Sequence, residues 1–127
     1  MSRQGIHQGY YWTITHNGMG FLCGYVLVPV NHPMYLENLE EMIDVHGGIT
    51  YDSVDPPHSF VQPRIPVTGR WIGFDCAHFG DAPDPKYVVP LYRIAVPNAT
   101  FKDEGYVLRE IESIIRQLGP LKIDLPL

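Results

Sequence analysis

Three ionisable side chains spaced three residues apart, Asp75, His78 and Asp81, close the stretch Trp71-Ile-Gly-Phe-Asp-Cys-Ala-His78 and its continuation Phe79-Gly80-Asp81. A carboxylate beside an imidazole fixes the ring's tautomer and raises its basicity, the arrangement of a general-base pair. The same pair also makes an ordinary structural hydrogen bond. Asp75 and His78 are therefore the candidates for catalysis if a reaction is catalysed at all. A strand through Trp71 to Cys76 turns Asp75 to the side of Trp71 and Gly73, and His78 to the side of Ile72, Phe74 and Cys76. The two converge only where that strand twists or ends near Ala77, which Gly80 permits.

A second polar stretch, His46-Gly-Gly-Ile-Thr-Tyr51, looks like the partner of the first. Gly47 and Gly48 have no side chains to shield their backbone, so their N–H groups are candidates to cradle a phosphate or carboxylate. Thr50 and Tyr51 add hydroxyls. The stretch is neither a P-loop, which needs GxxxxGK[ST], nor a dinucleotide fingerprint. Paired glycines in a β context also read as a plain bulge or tight turn. Trp71, Phe74, Tyr51 and Tyr35 either wall a pocket by stacking on a planar ring or fill the core. The candidate ligand-binding set is His46, Gly47, Gly48, Thr50, Tyr51, Trp71, Asp75, His78 and Asp81.

His32, His46, His78, Asp75, Asp81 and Cys76 are all capable metal ligands. None shows the close spacing of HExxH or CxxC, so no metal and no other cofactor is expected. Cys76 reads either as a nucleophile served by His78 or His46, or as a small buried hydrophobe between Phe74 and Ala77. Cys23 lies in an apolar strand and reads as packing. His7, His16 and His58 fall in expected loops, exposed to solvent.

These groups need a scaffold, and the sequence predicts an α+β one: an antiparallel sheet of about five strands with one C-terminal helix on one face. Tyr10 to Thr15 and Phe21 to Val30 are rich in aromatic and β-branched residues and flank Asn17-Gly18, a hairpin signal. Met1 to Gln8 reads as a loose start. Gly24 marks a bulge or a close approach, and Pro29 an edge or an ending. His32-Pro33 holds His32 in an extended or turn conformation. Leu36, Leu39 and Met42 have the spacing of one or two helical turns, an ordered loop being the alternative. Ile43 to Val45 and Ile49 to Tyr51 read as strand pieces around the glycine pair. Asp52 to Gly69, with Pro56, Pro57, Pro63 and Pro66, is a long loop that holds at most an irregular edge strand over 61–67. Tyr87 to Val96 reads as extended.

Val107, Leu108, Ile111, Ile114, Ile115 and Leu118 recur at three and four residues, the stripe of an amphipathic helix. Asp103 is its expected N-cap, with Thr100 as the alternative, and Gly119-Pro120 its stop. A helix with one apolar face needs a sheet to cover. The 127 residues are expected to form one domain, with a body over about 10–118 and an apolar tail over 119–127 that docks on the body or on a second copy.

The net charge of −5, with nine Lys and Arg scattered along the chain, gives no footprint for duplex nucleic acid. The longest apolar run, Phe21 to Val30, is too short to span a bilayer and contains Gly and Pro, so no membrane partner is expected. Two cysteines are too few for a disulfide scaffold and no secretory leader is visible. The default is a cytoplasmic protein with reduced thiols.

Gly24-Tyr-Val26 with His32-Pro33, then His46-Gly-Gly-Ile-Thr-Tyr51, Trp71-Ile-Gly-Phe-Asp-Cys-Ala-His78 with Gly80-Asp81, and Tyr106-Val107 through Glu110 to Gln117-Leu118 form a combination that spans residues 24 to 118. In these motifs the chain resembles a group of small uncharacterised proteins of bacteriophages and their bacterial hosts. The resemblance implies a phage or mobile-element setting, with the host cytoplasm as the place of action, and carries no catalytic assignment. Three functions follow as expectations. One is a binder of a small polar, nucleotide-like ligand in a cleft between the His46 loop and the Asp75–Asp81 segment, in a phage a device for sequestering a host defence signal. A second is a hydrolase of such a ligand using Asp75 and His78. A third is an inhibitor of a host protein, acting through the acidic surface and the Pro-rich loop.

Overall fold

A computed structural model describes residues 3–85 and 98–121. The fold is α+β. Five antiparallel strands, β1 (Arg3–His7), β2 (Tyr10–His16), β3 (Leu22–Pro29), β4 (Tyr51–Ser53) and β5 (Gly69–Asp75), form one sheet in the order β1-β2-β3-β5-β4. One helical turn, α1 (Leu39–Met42), precedes β4, and the long helix α2 (Glu104–Leu118) ends the described chain. A two-residue parallel pair, β6 (Asp81–Ala82) with β7 (Thr100–Phe101), lies beside them. Among the described residues no helix is long and apolar enough to cross a membrane.

Helix α2 forms where its periodicity predicts. Asp103 caps it by accepting the Tyr106 N–H at 2.9 Å, whereas Thr100 belongs to β7. Gly119, at φ +85°, ends it, its N–H donating to the Ile115 carbonyl. Val107, Ile111, Ile114, Ile115 and Leu118 are buried, while Leu108 is only partly so. They pack on Trp12, Ile14, Val26, Val28, Ile72 and Phe74, the inward residues of β2, β3 and β5. Each such side chain contributes about 1.5–3 kcal/mol by leaving water. Gly24 is a close approach: the Phe74 ring lies where a Cβ would sit, at 2.7 Å. His32 closes this core. Its Nδ1 accepts the Met34 N–H, so Nε2 carries the proton, 3.0 Å from the Tyr10 hydroxyl and 3.0 Å from the Leu118 carbonyl.

Several expectations about local structure are corrected. Residues 3–7 are a paired strand rather than a loose start, because Gln8 (φ +51°) and Gly9 (φ +86°) make a tight two-residue hairpin into Tyr10. His7 and His16 accordingly end strands rather than lying in loops. Asn17-Gly18 does not make a two-residue turn. The connection runs over 17–21, and the Asn17 side chain accepts the Met19 and Phe21 N–H groups. Of the spaced apolar residues near α1, only Leu39 is buried, while Leu36 and Met42 are exposed. Ile43 and Val45 are buried from a loop, and β4 begins only at Tyr51. The stretch 61–67 forms no strand. Gln4 and Gln62 side chains take up backbone groups of Val61 and Val67 that a ladder would have used. The expected extended segment 87–96 and the end of the tail, 122–127, lie outside the described residues.

The other face of the sheet carries a second, smaller core of Leu27, Phe60 and Trp71, with Tyr11, Tyr25, Tyr51 and Val67 around it. The Pro-rich loop after β4 covers part of this face. In register across three strands lie Tyr25, Gly73 and Tyr51. The bare Gly73 lets the Tyr25 ring lie over it, at 2.3 Å from the position of a Cβ, and the two tyrosine rings meet edge to face at 5.2 Å.

Candidate functional site

Strand β5 ends at Asp75, and the turn that follows carries His78 back towards it. Asp75 Oδ1 accepts the Ala77 N–H at 3.1 Å, and Oδ2 accepts the Thr50 hydroxyl at 3.1 Å. His78 Nε2 lies 3.2 Å from Asp75 Oδ1, but out of line for a hydrogen bond. The contact is therefore electrostatic, and it strengthens when the imidazole is protonated. The sequence question of whether the strand stops in time for the two to meet is answered by the turn. Both side chains keep about a third of their surface exposed, 30% for Asp75 and 35% for His78.

Asp81 behaves differently. It is 1% exposed, and its carboxylate is the centre of a knot. Oδ2 lies 2.7 Å from His46 Nε2 and accepts the His78 N–H at 3.0 Å, and Lys102 Nζ stands 3.1 Å from Oδ1. With Asp81 ionised, His46 Nε2 carries the proton, and its Nδ1 accepts the Tyr106 hydroxyl at 2.7 Å. The His46 backbone N–H donates to Glu110 one turn further along α2. Burial pushes the Asp81 carboxyl up, but the donors from His46, the His78 backbone and Lys102 outweigh it and hold the group below the ordinary carboxylate range. Burial first, and then the nearby Glu110, pushes the Tyr106 phenol up, so it is no ready phenolate.

Of the two glycine N–H groups expected to cradle an anion, that of Gly48 is already engaged within the fold, as are the N–H groups of His46 and Thr50 on either side. The His46 N–H is taken by Glu110, and the Gly48 N–H is taken by the Val45 carbonyl at 2.8 Å. Thr50 N–H is in the sheet, on the Gly73 carbonyl. The glycines make a turn with φ +69° and +82° rather than a bulge in a strand. Gly47 is required for packing, since a Cβ there would meet the His78 ring at 2.2 Å, whereas Gly48 has nothing within 4 Å.

Two members of the expected ligand set are buried. Trp71 is 1% exposed and packs on Phe60 at a ring separation of 4.7 Å, so it fills the second core and walls no cleft. Asp81 is inside the knot. The His46 turn and the 75–81 segment are in direct contact through the His46–Asp81 bond and the His78 ring on Gly47, instead of standing apart. Cys76 is buried, and its thiol is pushed up to about 12, first by burial and then by Asp81, Cys23 and Asp75. That removes the thiolate a nucleophile needs. Cys23 is buried and likewise raised, by burial above all. Among the described residues no group of three or more His, Cys, Asp or Glu is placed to hold a metal ion.

What stays accessible is Asp75, His78, Thr50, Tyr51 and, at the turn, Gly47 and Gly48. Beside Asp75 a hollow of about 410 Å³ opens on the second face of the sheet, lined by Asn17, Tyr25, Thr50 and Tyr51 as well as Asp75 itself. It adjoins a hollow of about 520 Å³ under the Pro-rich loop, where Tyr25 and Tyr51 are joined by Asp55, Pro56, His58 and Ser59. The Tyr51 hydroxyl donates to the Asp55 carbonyl at 2.6 Å, which fixes the loop against the ring.

No family model, no curated protein and no solved structure matches the chain.

The residues missed by sequence reasoning fall into two sets. Tyr106, Glu110 and Lys102 complete the knot, and Tyr25 and Asp55 complete the trough. Tyr106 and Glu110 carried a legible signal, because residues four apart share one helix face and flank the apolar stripe. Tyr25 shared the face of Cys23 and Leu27 by strand alternation. Nothing in the sequence linked Lys102 to Asp81.

Proposed function

We propose that the chain is a small-ligand-binding protein whose site is the trough over Tyr25 and Tyr51, with Asp75 and Thr50 at its rim. The observation that supports this most directly is the Tyr25-Gly73-Tyr51 row. Two aromatic rings at the edge of the second core and a partly exposed carboxylate border open space here, the combination of apolar wall and few polar groups that ligand sites have. A nucleotide-like ligand would lay its ring on the tyrosines. Its phosphates would find no free cradle in the His46 or Gly48 N–H groups. In the phage setting that the motif resemblance implies, such a binder would hold a small molecule of the host cytoplasm, a defence signal being the case of interest.

The test is thermal melting with a panel of nucleosides, nucleotides and cyclic dinucleotides, for the parent and for Tyr51→Ala. A ligand at about a hundred times its dissociation constant adds about 2.7 kcal/mol of stability. A shift in the parent that Tyr51→Ala abolishes supports the reading. A shift retained in full by Tyr51→Ala moves the site elsewhere.

Two other readings each have one observation in their favour. Asp75 at the rim, with the buried His78 Nε2 3.2 Å behind it, favours a hydrolase of the bound ligand, with the pair as acid and base. Turnover of a ligand that otherwise only binds would establish it. The exposed Val54, Val61 and Ile65 on the Pro-rich loop favour a protein partner, a host factor or a second copy, since such side chains gain by being covered. Association that survives Asp75→Asn and is lost in Val61→Asp would identify that use.

A further inference from the structure

The charge around the trough says what kind of ligand fits it, provided the ligand-binding reading above holds. Asp75 stands at one end, on the smaller hollow, and Asp55 on the larger. Neither hollow is lined by a Lys or Arg among the described residues. We infer that the trough takes an organic amine, a linear diamine or polyamine cation laid along the tyrosines with an ammonium at each carboxylate.

The floor suits a cation as well as the ends do. Tyr25 and Tyr51 meet edge to face at 5.2 Å, and an aromatic face attracts an ammonium group within about 6 Å of its centre. The Tyr51 hydroxyl is occupied by the Asp55 carbonyl, so this side chain offers the trough its ring rather than its oxygen. Asp75 accepts from Thr50 and from the Ala77 N–H, and an ionised carboxylate has about four acceptor sites, which leaves room for an ammonium donor. Asp55 is on an exposed bend.

The geometry sets the length. Asp75 lies two residues beyond Gly73 on β5, and Gly73 pairs with Tyr51, so at about 3.4 Å per residue Asp75 stands about 7 Å from the tyrosine row. Asp55 reaches the far end of the Tyr51 side chain through its carbonyl. A chain with two separated nitrogens can span from one carboxylate across the ring to the other. A single ammonium ion satisfies one end only. A phosphate-bearing ligand would meet two carboxylates and no Lys or Arg, with His16 and His58 as the basic side chains on the larger hollow, and the net charge of −5 repels anions and attracts cations at long range.

Isothermal titration of the full chain with spermidine, at fixed moderate salt, tests this, with magnesium ion, butane-1,4-diol and adenosine as comparison probes. The expected result is saturable 1:1 binding of spermidine, weakened at least tenfold by Asp55→Asn and at least tenfold by Asp75→Asn, both variants melting like the parent. Equal response to magnesium, or spermidine binding unchanged in both variants, overturns the amine assignment by showing general charge attraction or another site. Binding of adenosine or the diol with no binding of spermidine overturns the amine class but keeps the trough as a ligand site, provided Tyr51→Ala removes it. No binding by any probe, together with no melting shift from the nucleotide panel, defeats both readings.

Discussion

Asp75 and Asp81 lie six residues apart in one segment, and each has a histidine beside it, yet the protein uses them in opposite ways. Asp81 is enclosed, with His46, Lys102 and the His78 backbone around it, and it ties the His46 turn, the turn after β5 and the link from β7 to α2 to one another. Asp75 keeps its carboxylate at the surface, with one hydroxyl and one N–H on it. Residue type is the same in both. Depth decides the role, because a buried carboxylate without donors is costly and must collect them, while an exposed one is solvated and free to meet a ligand.

The largest effect expected on either side of this contrast is at Asp81. Asp81→Ala leaves Lys102 and His46 without their acceptor in a closed site, and removal of one partner of a buried pair costs about 3–5 kcal/mol. Chemical denaturation of the variant measures it. A loss below about 1 kcal/mol would dissolve the distinction between the two aspartates.

The same group predicts the acid limb of stability. Its folded pKa is depressed, so its contribution is fully present above the ordinary Asp value of about 3.9 and is lost as the pH falls from there through the lower folded value. Melting temperature followed from pH 7 to pH 2 should fall steeply below about pH 4 in the parent, and less steeply in Asp81→Asn. Parallel curves would mean that Asp81 is not held ionised by its donors.

The adjacent glycines sharpen the contrast at the join between knot and rim. Both have positive φ, where an L side chain costs about 1–2 kcal/mol. Gly47→Ala also drives a methyl into the His78 ring, whereas Gly48→Ala meets open space. Gly47→Ala should therefore be the more destabilising of the two and should displace the His78 imidazole resonances in NMR spectra. Equal losses and an unmoved His78 would show that the ring does not rest on Gly47.

The smallest stability effect is expected at Asp75. Asp75→Asn removes a partly exposed contact with His78, worth no more than about 1 kcal/mol, and should leave the melting temperature nearly unchanged while weakening ligand binding. A large stability loss here would make Asp75 a second Asp81 and remove the rim from the site.

Much of the fold was legible. The α2 stripe, its Asp103 cap and Gly119 stop, and the pairing of β2 with β3 follow from period and capping chemistry that act within a few residues. The first strand was not legible, because Arg3 to His7 is polar and short and gains its conformation from pairing with β2. Ile43 and Val45 showed strand-like alternation but are buried from a loop, where the Gln117 side chain of α2, and not a neighbouring strand, takes up the Asp44 N–H and carbonyl between them.

For the site, the sequence by itself determined which residues have chemistry to offer: Asp75, His78, Asp81 and the His46 stretch. Only the tertiary structure decided which of these face solvent. Trp71 and Asp75 share one face of β5, and Phe60 covers the first while the second projects past the core beside an open hollow. Asp81 meets Lys102 from a distant part of the chain, and Tyr25 meets Tyr51 only because Gly73 stands between them in register. Periodicity reports the side of an element on which a residue lies. What covers that side comes from distant parts of the chain, and burial sets the cost of a charge and hence its use.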